Sequence, residues 1–136
     1  MKRMIKKLKN NTSAFTLIEL LAVIVIIGLL AVLIIPKAKR SIDDSKKNTS
    51  LISAQSLLRT STNYYLEKKA QNTTFTECVY DFSNNTNTCE GLEFTGEKPT
   101  SGNLTISKKG NISGTITFSK KYDFCIMNEE VKEGKC

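Results

Sequence analysis

The sequence predicts an α+β chain: a long N-terminal α-helix, membrane-spanning over its first half, with a small antiparallel β-sheet packed on its second half. Three observations predict it. Residues 14–35 read AFTLIELLAVIVIIGLLAVLII, an apolar run holding one carboxylate, Glu19. Apolar residues then recur at spacings of three and four from Leu51 to Tyr65, the period of a helix with one buried face. After residue 71 the pattern turns strand-like, turn residues punctuate it, and all four cysteines occur.

Residues 1–14 form a basic leader, with Lys2, Arg3, Lys6, Lys7 and Lys9 and no acid. Five of the chain's seven net positive charges sit there, leaving +2 for the remainder, so the high pI is no argument for nucleic acid. A positive cluster before an apolar run fits retention on the cytoplasmic side during insertion. Lys37, Lys39 and Arg40 flank the other end, however, which makes charge bias alone a weak guide to orientation. Residues 15–35 would span about 31 Å as helix, close to the ~30 Å of a bilayer's hydrocarbon. Their β-branched content suits lipid, where a backbone has no partner but its own ladder. A lone acid in such a run costs a few kcal/mol when unpaired, so Glu19 needs a partner and marks a functional site. An ordinary secretory signal would place an A-x-A-like step after the run, and Pro36-Lys37-Ala38 is a poor match.

Residues 36–70 read as an amphipathic helix continuing into a globular head. Pro36 lacks a backbone donor and clashes with the preceding turn, which predicts a kink or local unwinding around Ile35. Helix then resumes to about Lys69. Leu51, Ala54, Leu58, Ser61 and Tyr65 form its stripe, widened by Leu57 and Tyr64, while Asp43, Asp44, Lys46 and Lys47 make a solvated or subunit-facing stretch. A continuous helix from Phe15 to Lys69 would be about 80 Å long, far more than a domain this small needs for itself.

Residues 71–136 read as a small disulfide-stapled β domain. Phe75 to Phe82 alternates loosely and Ser83 to Thr88 reads as a loop. Leu104 and Ile106 share a face of one strand, Ile112, Ile116 and Phe118 a face of the next, with Lys108-Lys109-Gly110-Asn111 as turn chemistry between them. Tyr122 to Met127 makes the last strand, giving three or four in all. So few residues bury little core alone, and Cys78, Cys89, Cys125 and Cys136 answer that need. Pairing Cys78 with Cys89 and Cys125 with Cys136 closes two loops of about a dozen residues, each worth about 2 to 3 kcal/mol; crossed pairings stay open. The spacing lacks the C-x-x-C knuckles of structural zinc.

No catalytic site, cofactor or metal is predicted. Histidine is absent, which removes Ser-His and Cys-His nucleophiles. The acids Glu77, Asp81, Glu90, Glu93, Glu97, Asp123, Glu129, Glu130 and Glu133 show no spacing that singles out a pair, and the oxygen-ligand pattern of an EF-hand is missing. Lys108, Lys109, Lys120 and Lys121 form a small basic cluster that could touch phosphates, which is the one weak support for a nucleic-acid partner; edge-strand lysines that discourage sheet pairing are the plainer explanation. The Asn-x-Ser/Thr triplets read as composition.

The hexapeptide Ala14-Phe15-Thr16-Leu17-Ile18-Glu19, with its basic leader and apolar sequel, resembles the type IV prepilin processing motif of type IV pilins, type II secretion pseudopilins and competence pseudopilins. The resemblance implies that a membrane-embedded prepilin peptidase cuts between Ala14 and Phe15 and methylates the new amine, which makes Glu19 the fifth mature residue. Ala14 departs from the family's usual Gly. The same resemblance implies a pilin-like fold and a structural subunit of a type IV pilus or related filament, polymerised through residues 15–35 as the filament-core helix. Its partners would be copies of itself and other pilins, the peptidase, and a membrane assembly machine with an ATPase. The chain would sit single-pass in the bacterial cell membrane before assembly, leader inside and cysteines outside, and in a surface pilus or pseudopilus afterwards. Glu19 would pair with the Phe15 amine of a neighbouring subunit and set axial register. Pro36 would match the family's proline at a locally unwound helix, and Cys125 with Cys136 its C-terminal staple. The alternatives are a pseudopilin of a type II secretion or DNA-uptake (competence) system and a membrane-anchored adhesin or binding module.

Overall fold

The computed structural model describes residues 16–71 and 74–136. One helix, α1 (Leu17–Ala70), precedes six strands: β1 (Cys78–Asp81), β2 (Thr86–Asn87), β3 (Ser101–Ile106), β4 (Ile112–Phe118), β5 (Tyr122–Met127) and β6 (Glu130–Glu133). All neighbours are antiparallel, in the order β2-β1-β3-β4-β5-β6. The architecture is α+β, a long helix with an antiparallel sheet packed against it. Two compact units divide at Ser41/Ile42.

In the first unit, every large apolar residue from Leu17 to Ile35 is at least 47% exposed. By length and composition this helix can cross a membrane. The helical pattern continues through Pro36. Proline removes one donor and costs about 3 kcal/mol, but it leaves the bonds on either side intact, and the strong helix formers Leu33, Ala38 and Lys39 flank it.

The second unit begins inside α1. Ser50, Ala54, Leu57, Leu58 and Ser61 are its buried helical residues, with Leu51, Tyr64 and Tyr65 half-buried beside them. Small side chains at 50, 54 and 61 let the helix approach the sheet, while the two leucines fill the space between. Opposite them Leu104, Ile106, Ile112, Ile116, Phe118, Phe124 and Ile126 are at most 1% exposed. Their alternation follows from the period of two in a pleated strand, and the register sets Ile106 beside Ile112 and Ile116 beside Phe124. Phe118 and Phe124 meet edge to face at 6.0 Å. Fully burying each such side chain contributes about 1.5 to 3 kcal/mol.

The sheet has two more strands than the upper expectation, and both are short and polar. At the first, the Asp81 carboxylate accepts the Ser83 amide at 2.8 Å and the Asn84 side-chain amide at 2.7 Å. That turn sends Thr86 and Asn87 back alongside Asp81 and Tyr80. At the second, Asn128 and Glu129 both take positive φ, 52° and 66°, the signature of a two-residue type I′ hairpin. Glu130–Glu133 then pairs with β5 as a charged edge strand, the composition by which sheets blunt their edges.

Gly110 closes the β3–β4 turn at φ 89°, and a Cβ there would strike the Tyr65 ring. The glycine serves both the turn and the close approach of the helix. One disulfide joins Cys78 in β1 to Cys89 after β2, and another joins Cys125 in β5 to Cys136. Across the early helix of this unit, Lys47 pairs with Glu133 at 2.7 Å, Lys121 with Asp43 at 3.3 Å, and the Tyr122 hydroxyl donates to the Asp43 carbonyl at 3.3 Å. The bonds to Glu133 and Asp43 raise the ammonium pKa values of Lys47 and Lys121. Exposed pairs like these orient more than they stabilise.

Two predictions arise from this unit. The buried Ser61 hydroxyl has no hydrogen-bond partner among the described residues, and a buried unsatisfied group costs about 1 to 3 kcal/mol; Ser61→Ala should raise the urea midpoint, equivalent to roughly 1 kcal/mol. The bonds from the Asn84 side chain and then the Ser83 backbone hold the Asp81 carboxyl below its usual range. A depressed folded-state pKa gives stability that is present at neutral pH and lost as pH falls through the ordinary Asp value of about 3.9 toward the folded one. In acid titrations followed by circular dichroism, Asp81→Asn should therefore flatten the decline of stability below about pH 4.

Candidate assembly site at the helix N-terminus

An α-helix leaves its first four N–H groups without intrahelical partners. At the start of α1 the Thr16 and Glu19 amides are met locally. The Glu19 amide donates to Thr16 Oγ1 at 3.3 Å, while Glu19 Oε2 accepts the Thr16 amide at 2.8 Å and the Thr16 hydroxyl at 3.0 Å. Thr16-Leu17-Ile18-Glu19 is thus a reciprocal capping box. The carboxylate also lies at the positive end of the helix dipole, where negative charge is favoured.

Glu19 is therefore not stranded within its own chain. The expectation from an apolar run with one acid was that it needs a partner, and Thr16, which was not singled out for that role, bonds it within the chain. Its signal is present in the sequence as a T-x-x-E step before an apolar run. Ala14 and Phe15 lie outside the described residues. Glu19 stands in the first turn of α1, Pro36 lies within the same helix, and the four cysteines are in the second unit.

With this geometry in place, residues 9–35 match the family model of the prokaryotic N-terminal methylation motif. The chain carries the type IV pilin/pseudopilin prepilin-like signal. None of the curated proteins and none of the solved structures matches it. The prepilin-like signal implies a structural protein, processing by prepilin peptidase and assembly into filaments. With the apolar helix it fits a membrane-anchored precursor.

Elsewhere the structure redistributes the candidates. Lys108 and Lys109 lie in the β3–β4 turn, whereas Lys120 and Lys121 lie between β4 and β5. The seven residues of β4 intervene, so the two pairs are about 20 Å apart at ~3.4 Å per residue. The basic cluster read from the sequence is not one surface, and Lys121 is engaged by Asp43. Among the described residues no group of three or more His, Cys, Asp or Glu side chains could hold a metal. A groove of about 680 Å³ runs between the second unit's helix and β6, lined by Leu58, Arg59, Val131 and Lys132 among others. It is open, mixed in charge and without a constellation suited to chemistry.

Proposed function

We propose that the chain is the structural subunit of a type IV pilus or a related pseudopilus, matured by cleavage between Ala14 and Phe15 and polymerised through its N-terminal helix. The observation that carries this is the prepilin-like signal leading directly into a helix with exposed apolar residues all along it. Before assembly that surface needs lipid. Afterwards it needs neighbouring helices, and an ATP-driven machine in the membrane supplies the work of extraction.

Glu19 supports the same proposal in a modified form. Its carboxylate begins satisfied by Thr16, so pairing with the Phe15 amine of a neighbouring subunit exchanges partners rather than rescuing a bare charge. Such a pair confers register more than net stability, since desolvation offsets much of its attraction. Pro36 marks the place where the helix gives way on packing. The cysteine-stapled unit then faces the outside of the filament.

Mass spectrometry of the mature N-terminal peptide tests the proposal: an N-methylated Phe15 is the expected result, and an intact leader in cells that possess the peptidase would reject it. Glu19 variants divide capping from charge. Gln at the third helical position still caps, so Glu19→Gln keeps the box and removes the charge, while Glu19→Ala removes both. Both should insert and be cleaved normally yet fail to enter filaments, scored by shearing and immunoblotting; efficient incorporation of Glu19→Gln would reduce the acid to a helix cap.

A further inference from the structure

The apolar part of α1 ends at Ile35, and three cations follow within five residues: Lys37, Lys39 and Arg40. All three are exposed, and none has an ion-pair partner among the described residues. The nearest acid along the helix, Asp43, is held by Lys121. Cations on the far side of a span work against the charge bias that orients insertion, so their place there needs a reason.

At 1.5 Å per residue, Lys37 lies about 3 Å and Arg40 about 7.5 Å past Ile35 along the helix axis. The headgroup layer on each side of a bilayer is about 5 to 7 Å thick. With the apolar run filling the hydrocarbon, all three cations fall within or at the rim of that layer, while Lys46, eleven residues past Ile35, belongs to the second unit. At 100° per residue the three side chains leave the helix at about 0°, 200° and 300°. All three therefore lie within an arc of about 160°, a basic band on one side of the helix at headgroup depth.

We propose that Lys37, Lys39 and Arg40 bind the phosphates of anionic phospholipid headgroups in the outer leaflet, holding the precursor at fixed depth until it is drawn into the filament. This rests on the reading of a membrane-anchored precursor, but it requires neither cleavage nor polymerisation. A protein occupant of this band would be the acidic stretch 75–97 of a second copy, which holds Glu77, Asp81, Glu90, Glu93 and Glu97 and no Lys or Arg. The headgroup is favoured because all three charges follow the exposed apolar run within five residues, at the depth where lipid phosphates lie once that run fills the hydrocarbon.

The test reconstitutes the full-length chain into phosphatidylcholine bilayers containing about one-third phosphatidylglycerol and reads the motionally restricted lipid shell with spin-labelled lipids of each class. Phosphatidylglycerol should be enriched about threefold at low salt and lose that preference at high salt. The K37Q/K39Q/R40Q variant should at least halve the enrichment, whereas Lys46→Gln should leave it unchanged; the leader's cations are common to all three proteins. Equal enrichment in the triple variant and wild type overturns the proposal, as does an equal loss in Lys46→Gln. An unchanged lipid shell with filament entry lost, and restored by charge reversal within 75–97, overturns it in favour of the protein occupant. A Phe15 that is never methylated would sink the filament reading alone and leave this measurement standing.

Discussion

A helix that leaves its apolar residues open from Leu17 to Ile35 sets the terms for everything else in this chain. Burial of apolar surface is worth roughly 25 cal/mol per Å², so a surface this large is not left in water. Among the described residues nothing covers it. The environment must do so, first as lipid and, in the proposed filament, as other copies of the same helix. The prepilin-like signal across residues 9–35 is consistent with that demand, because the matched segment and the uncovered segment largely coincide.

The second unit is stabilised by different means. Its core is one layer of strand residues against a short helical stripe, centred on Phe118, Phe124 and four isoleucines. Two disulfides constrain stretches that contribute little apolar burial: the hairpin of β1 and β2, and the C-terminus beyond β6. One staple ties the segment after the two-residue β2 to β1, and the other ties the C-terminal residue to the buried middle of β5. Hydrophobic burial supports the middle of the unit and covalent constraint its two margins.

Much of this was legible in the sequence because it is periodic. The stripe from Leu51 to Tyr65 and the strands around Leu104, Ile112 and Phe124 follow from spacings of three or four and of two, and all lie where apolar burial decides structure. What escaped was governed by local polar geometry. Strand β2 is held by an Asx-type turn at Asp81, and β6 by a hairpin whose residues, Asn128 and Glu129, lack the glycine that usually announces it. At the helix N-terminus the lone carboxylate was conspicuous, whereas the threonine that bonds it was read only as part of the motif. The four turn lysines seemed one patch because sequence proximity hides the length of β4.

The reciprocal bonds between Thr16 and Glu19 bear on reversibility. A monomer with a bare buried charge would be driven one way, since leaving the polymer would strand it again. In the proposed filament a departing subunit would fall back on its own threonine, so the detached and attached states would both satisfy the acid. A fibre built from such units would have a shallow energetic slope at its ends, and a motor could draw subunits in or let them go with modest work per step.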